Sequence, residues 1–345
     1  MQKEIKTKQP LLNEKGNIEN AGYAKSLVWE YDRSKIKAPK NRIKEWDYYY
    51  IANGSYALCV TMADLGYVGA LSISTLDFKV PKEVTNSSVF LLPMGKVKMP
   101  ASSKSGGARY KNGKVCYSFE NDGRVRHLTG RYPDYDKKGG NLEFDVTISG
   151  EPPESMVIAT PFKNDGYFYY NQKINCMRAE GFFSVNGVKY SFDKKDTLAT
   201  LDWGRGVWTY DNTWYWGSLQ TVLKNGKTFG FNIGYGFGDT SNASENMLFC
   251  GGKSHKIEEV EFGIPGDKEG KPRYMDEWHF TSSDKRLNLV FKPLIDRYAP
   301  FDLKVMCMIP HQVFGYFSGE CVLDGGEIVK LDKVLGFAEK VHNKW

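Results

Sequence analysis

The chain has no stretch of 18 apolar residues, so no segment of it reads as a membrane-spanning helix. Its start, Met1-Gln-Lys-Glu-Ile-Lys-Thr-Lys, lacks an apolar h-region. The expectation is a cytoplasmic protein without a secretory leader. None of the six cysteines (Cys59, Cys116, Cys176, Cys250, Cys307 and Cys321) forms a Cys-x-x-Cys pair. Reduced core thiols are therefore expected rather than a disulfide framework. The five histidines are widely spaced, with no His-Glu-x-x-His and no mixed Cys/His set. No protein-held metal is expected. There is no Gly-x-Ser-x-Gly elbow and no Walker loop, and Gly234-Tyr-Gly-Phe-Gly238 lacks the strand-to-helix setting of a dinucleotide site. These absences disfavour Rossmann hydride transfer and phosphoryl transfer, and no cofactor is expected. Ala-rich and Leu-rich helical stretches are scarce.

Glycine and aromatic residues are plentiful. The 345 residues include 35 Gly, 21 Tyr, 20 Phe and 8 Trp. That mixture favours strands and turns over helices. Hydrophobic residues make up 41% of the chain and charged residues 26%, enough to bury a core. The net charge is +6. Residues 1–44 carry 11 basic and 5 acidic side chains, and the rest of the chain carries 36 of each sign. The basicity thus belongs to an N-terminal arm. No basic face with interleaved aromatics marks a nucleic-acid platform. The arm is either a solvated segment or a candidate for peripheral contact with a membrane surface.

Turn signals recur along the whole length. Asn186-Gly187, Asn225-Gly226 and Asn112-Gly113 each lie between alternating runs, the pattern of a type I′ hairpin. Leu142, Phe144, Val146 and Ile148 alternate with polar residues, as do Leu287, Leu289 and Phe291. Period-two alternation with short loops predicts antiparallel sheet with one wet face. Glu83–Phe90 is a candidate for a short helix, and 263–273 reads as a long surface excursion. The expected fold class is all-β, with two antiparallel barrels or sandwiches and few short helices. The boundary is placed near residue 195, giving units 1–195 and 196–345.

The segment richest in chemistry runs from Leu201 to Gly217. Trp203, Trp208, Trp214 and Trp216 fall within it. On a strand, Asp202, Gly204, Gly206, Trp208 and Tyr210 share a face. Glycines there open space beside a carboxylate, an indole and a phenol, or let strands bend and pack closely. Further on, Phe229, Phe231, Ile233, Tyr235 and Phe237 form a bulky face opposite Gly230, Asn232, Gly234 and Gly236. The two ribbons either enclose a cavity or form packed core. Asp202 is the candidate acid or its partner. Arg205 would join it only if a bulge at Gly204 broke the alternation. Glu245 and His255 follow a Gly-rich turn and complete the catalytic candidates. Trp203, Trp208, Tyr210, Trp214, Trp216, Asn232, Tyr235 and Gln312 are the candidate ligand-binding residues. Glu339 is a further cavity carboxylate or a surface residue.

Leu201-Asp-Trp-Gly-Arg-Gly206 and Trp214-x-Trp-Gly217 resemble a large bacterial family known as a domain of unknown function. So do Asn232-x-Gly234, Glu245-Asn246, His255-Lys256, Gln312-x-Phe-Gly315, Phe317-Ser-Gly319 and Gly336-Phe-Ala-Glu339. That family is distantly similar to carotenoid 1,2-hydratase-like and hydroxyneurosporene-synthase-like proteins, and to a yeast survival-factor-like lipid-transfer group. The resemblance implies two lipocalin-like barrels, a cavity for an apolar ligand and, in hydratase-type members, proton transfer from an acidic residue without a redox cofactor. Three functions follow as expectations. The first is an acid–base hydratase, isomerase or lyase acting on a largely apolar small molecule. The second is a non-catalytic carrier of such a molecule. The third is a carbohydrate-active hydrolase or lyase, which needs two carboxylates facing one groove.

Overall fold

The computed structural model describes residues 2–302 and 306–345. Nearly every regular element among them is a strand, and the only helices are the 3₁₀ turns Arg33–Lys35 and Lys40–Arg42. Asn112-Gly113, Asn186-Gly187 and Asn225-Gly226 all lie at hairpin ends, but only Asn186-Gly187 takes the type I′ form. At Asn186-Gly187 both φ angles are positive, 52° and 82°, and Val185 pairs with Val188 across the turn. Asn112 pairs with Val115, and Val222 with Thr228, around the other two.

Two large antiparallel sheets result. In the first, the strands run Lys82–Leu91, Val68–Asp77, Tyr56–Asp64, Ile43–Ala52, Leu198–Val207, Phe168–Val185, Leu142–Ser149, Val125–Tyr132, Val115–Asn121 and Gly106–Asn112. The sheet curls until its end strands meet, with the Phe90 and Tyr110 rings stacked 4.3 Å apart. In the second, the strands run Lys253–Lys256, Met247–Cys250, Thr228–Tyr235, Asp211–Val222, Ile328–Lys344, Cys307–Val322, Leu287–Tyr298, Trp278–Ser282 and Val260–Gly263. It curls likewise, Tyr235 meeting Phe262 at 5.3 Å.

Glu83–Phe90 is strand, not helix. Val84, Thr85, Val89 and Phe90 suit a pleated surface, and the segment pairs residue for residue with Val68–Asp77. The strand Leu198–Val207 lies past residue 195 yet completes the first sheet, between Ile43–Ala52 and Phe168–Val185. Sheet membership therefore changes after Val207.

Each sheet fills its own interior. Tyr49, Phe119, Tyr170 and Trp203 pack inside the first, and Phe229, Phe231, Trp278 and Phe317 inside the second. The alternate residues of the central strands face the other sheet. Tyr50 meets Phe337 at 5.3 Å, and Tyr48 meets Trp216 at 5.9 Å. A seam thus runs between the sheets. Asn175 bridges it by donating Nδ2 to Ser218 Oγ at 2.8 Å. At Gly230 a Cβ would lie 2.9 Å from Cys176 Sγ, so glycine there permits the close approach. The N-terminal arm also crosses the seam. Gln2 Oε1 accepts from the Ser244 amide, and the Lys3 amide donates to Asn242 O.

Candidate functional site

Strand register builds the site. In the first sheet Lys173, Asp202, Tyr48 and Thr61 lie in one row across four strands. In the second, Gly234, Trp216, Glu339, Gln312 and Arg297 form the matching row across five. The rows face each other across the seam. All of these residues but Gly234, with Trp46, Tyr169, Trp214 and Glu245, line a cavity of about 210 Å³. Trp208, Phe237 and Trp345, each from just beyond a strand, join Leu65 and Met308 in closing it.

Glycines shape the walls. Gly204 leaves the space that the Trp46 ring takes, since a Cβ there would lie 1.9 Å from Trp46 Cζ2. Gly234 does the same for a carboxylate, since its Cβ would lie 2.7 Å from Glu245 Oε1. The rings pack edge to face, Trp46 on Trp208 at 5.1 Å and Trp208 on Phe237 at 4.8 Å.

The charged groups fall into two kinds. Asp202 is paired: Lys173 Nζ lies 2.8 Å from its Oδ2, and Asn171 Nδ2 donates to its Oδ1 at 2.6 Å. The same ammonium sits 3.7 Å from the centre of the Trp216 ring, joining the sheets by a cation–π contact. Among the described residues no cation is in salt-bridge contact with Glu339 or Glu245. Burial pushes the Glu339 carboxyl up, outweighing the hydrogen bond from Trp214 and the more distant Arg297 and Lys173 charges. Burial likewise raises Glu245, and the Asp202 charge adds to the effect. Tyr169 is held well above the ordinary phenol range by burial and by the nearby carboxylates.

Trp214 Nε1 donates to Glu339 Oε1 at 2.9 Å and Gln312 Nε2 to Oε2 at 2.7 Å. Gln312 Oε1 is buried without a partner. Turning that amide over would let Gln312 accept an O–H from a protonated Glu339. Tyr48 Oη and Trp345 Nε1 are also buried and unpartnered. Among the described residues no cluster of His, Cys, Asp and Glu is gathered that could hold a metal.

Of the residues singled out from the sequence, Asp202, Glu245, Trp208, Trp214, Trp216 and Gln312 line the cavity. Asn232 stands behind it, accepting from Trp216 Nε1 at 2.7 Å and donating to Glu245 O at 2.9 Å. Five others lie elsewhere. Arg205 faces the interior of the first sheet, because Leu198–Val207 keeps unbroken register with Ile43–Ala52 and no bulge forms at Gly204. The irregularity falls between Ile174 and Met177 on the neighbouring strand. Trp203 shares that interior face, under the Arg205 guanidinium at 4.1 Å. His255 pairs with Asp324 at 3.3 Å away from the cavity. Tyr235 stacks on Tyr215 at the rim of the second core, and Tyr210 is half exposed. Lys173, Tyr169 and Arg297, which the sequence did not single out, also line the cavity. Polar Asn171, Lys173 and Asn175 on one face of an aromatic strand were the available signal for the first of these.

The chain matches the family described as domain of unknown function (DUF2804) over residues 2–345. It belongs to that family. Two solved structures share its fold. A protein from Nitrosomonas europaea provisionally designated AttH is 12% identical, with a TM-score of 0.54. The alignment covers 92% of this chain and 97% of that one. Kievitone hydratase from Nectria haematococca is 13% identical, with a TM-score of 0.51, over 97% of this chain and 98% of that one. No protein of curated function matches the chain in sequence. The all-β, lipocalin-like double-sheet architecture is thus shared with proteins that include a hydratase.

Proposed function

We propose that the chain is an acid–base enzyme of the hydratase, isomerase or lyase type, acting on a small, largely apolar molecule held in the seam cavity. The observation that carries this reading is Glu339. It is a buried carboxyl raised by its surroundings and held by Trp214 and Gln312, opposite the ionic pair Asp202–Lys173. A carboxyl that burial makes hold its proton more tightly is suited to be a proton donor, and a carboxylate paired with a cation and facing it is suited to be a proton acceptor. In the hydration direction, Glu339 gives its proton to one alkene carbon. The adjacent carbon becomes cationic within reach of the Trp46 and Trp214 rings. Water adds to it and loses a proton to Asp202. Arg205 and His255, which lie outside the cavity, have no part in this scheme.

The cavity's size and lining support a small guest. About 210 Å³ is the space of roughly seven waters at ~30 Å³ each. A polar group on an otherwise apolar guest would suit the unpartnered Tyr48, Gln312 and Trp345 atoms. The tryptophan and phenylalanine rings of the lining favour an apolar guest over a sugar.

The test begins with small molecules extracted from the protein as purified from its own host. They are returned to wild type, Glu339→Gln and Asp202→Asn in deuterated water, and products are followed by mass spectrometry. Wild type should incorporate deuterium at carbon. Glu339→Gln should lower turnover by about 10²–10⁴ while still retaining the ligand. Full turnover in both variants would overturn the assignment. Retention of ligand with no turnover by wild type would make the protein a carrier.

A further inference from the structure

Four of the exposed large apolar residues among the described ones fall within six positions of the sequence. Leu91 is 80% exposed, Val89 56%, Leu92 52% and Met94 37%. Val89 and Leu91 are on the outer face of the end strand Lys82–Leu91, and Leu92 and Met94 on the segment that leaves it. This segment is built rather than loose. The Leu92 amide donates to Tyr67 O at 2.8 Å and the Met94 amide to Gly66 O at 3.0 Å. Asp64, fully buried, accepts from the amides of Gly95 at 2.7 Å and Gly66 at 3.1 Å. The backbone so fixed is costly. Leu92, Met94 and Lys98 have φ of 52°, 45° and 58°, the left-handed region that side chains avoid. A fixed, strained loop that holds leucine and methionine in solvent calls for a partner.

The chemistry around the patch identifies the partner. Lys96 and Lys98 are exposed at its foot, and Lys111 and Lys114 on the adjoining hairpin. That hairpin is tied to the patch by Asn112 Nδ2, which donates to Val89 O at 3.0 Å. None of these four lysines has an ion-pair partner among the described residues. We infer that Val89, Leu91, Leu92 and Met94, ringed by Lys96, Lys98, Lys111 and Lys114, form a docking face for an anionic lipid bilayer. Apolar tips enter the headgroup boundary while the ammonium groups meet lipid phosphates. A second copy of the chain fits less well, because pairing the same edge twice would set like charges opposite each other.

The face adjoins the cavity. The turn that holds Leu92 and Met94 is Leu65-Gly66-Tyr67, and Leu65 lines the cavity itself. A guest dissolved in the bilayer would then reach the seam without crossing water. The docking face stands on its own observations; only this delivery route rests on the function proposed above.

The experiment is flotation of the purified chain with phosphatidylcholine–phosphatidylglycerol vesicles and, in parallel, with phosphatidylcholine alone. Wild type should float with the anionic vesicles and be released by raised ionic strength. Leu91→Asp combined with Leu92→Asn and Met94→Asn should abolish flotation. Asparagine tolerates the left-handed conformation, so that variant should fold. Lys96→Glu with Lys98→Glu should weaken binding by about 30-fold or more. Cavity occupancy is followed separately by titrating pentanol against tryptophan fluorescence, which neither variant should change. Pentanol uptake without vesicle binding by wild type would overturn the docking face and leave the cavity reading standing. Vesicle binding without pentanol uptake would do the reverse. Undiminished flotation of the apolar variant, or a dimer that this variant turns into monomer, would also overturn the docking face.

Discussion

Two buried ion pairs stand back to back on the strand Leu198–Val207, and their surroundings differ. Arg205, inside the first sheet, is closed on every side. It donates to Trp46 O at 2.7 Å, Gly204 O at 2.8 Å and Pro100 O at 2.8 Å, and its Nη1 lies 3.0 Å from Asp47 Oδ1. Trp203 covers the guanidinium, and the space beside Asp47 is only about 20 Å³, a tenth of the seam cavity. Lys173–Asp202, on the seam side, has Asn171 as a further partner and Trp216 as a cover, and beyond these lies the cavity. Three residues of sequence separate a pair that holds an interior together from one that fronts a hollow. Strand alternation, not the composition of the motif, decides which is which.

The comparison breaks most sharply if each cation is removed. Arg205→Met leaves Asp47 buried with only the more distant Arg126 as counter-charge, and three carbonyls short of a donor. It should cost about 3–5 kcal/mol of stability, read from the urea midpoint. Lys173→Met also orphans a carboxylate, but cavity water can reach Asp202, and the loss should be roughly 1–3 kcal/mol. Ligand retention should fall with Lys173→Met and be unaffected by Arg205→Met in whatever fraction remains folded. Equal stability losses would mean that the seam is as dry as the sheet interior.

A smaller effect sharpens the geometry of the wall. Gly204→Ala places a methyl group where the Trp46 ring lies. Overpacking of this kind should cost about 1–3 kcal/mol and push the indole toward the cavity. Tryptophan fluorescence should shift and guest binding weaken together. An unchanged spectrum would show that Trp46 does not depend on the glycine.

The parts of this arrangement legible in the sequence are the local ones. Asn186-Gly187 and the alternation from Leu142 to Ile148 specify hairpin and strand because turn chemistry and side-chain period act within a few residues. Asp202, Trp214 and Trp216 stood out because glycine and tryptophan crowd their own segment, and Gln312 because it alternates with Phe314 and Tyr316 on a glycine-gapped run. Lys173 and Arg297 did not, because each reaches the cavity through cross-strand register, and register is set by pairing between distant segments. Arg205 was ambiguous for a related reason. A bulge would have turned it toward Asp202, and the irregularity went to the neighbouring strand, whose segment through Cys176 carries no glycine to announce it. The cavity itself lies between two filled sheets rather than inside either, a consequence of packing that no single strand reveals.

The smallest effect concerns protons on the seam side alone. Burial raises Glu339 above its ordinary value of 4.5, so the folded chain holds a proton that the unfolded chain releases. Below that ordinary value both states are protonated, and the group contributes nothing to pH dependence. As pH rises from there toward the folded value, stability is lost, by roughly 1.4 kcal/mol for every tenfold difference in proton affinity between the two states. Glu339→Gln removes the titration, and Gln312 can turn its amide to meet the new one. The variant should therefore gain stability relative to wild type as pH rises through this window, read as the difference in urea midpoints at each pH. Activity should follow the opposite limb, falling in wild type as Glu339 loses its proton. A midpoint difference that stays flat with pH would mean that Glu339 ionises as an ordinary surface carboxylate does. The seam would then be no drier than solvent, and the proton donor would have to be sought at Glu245.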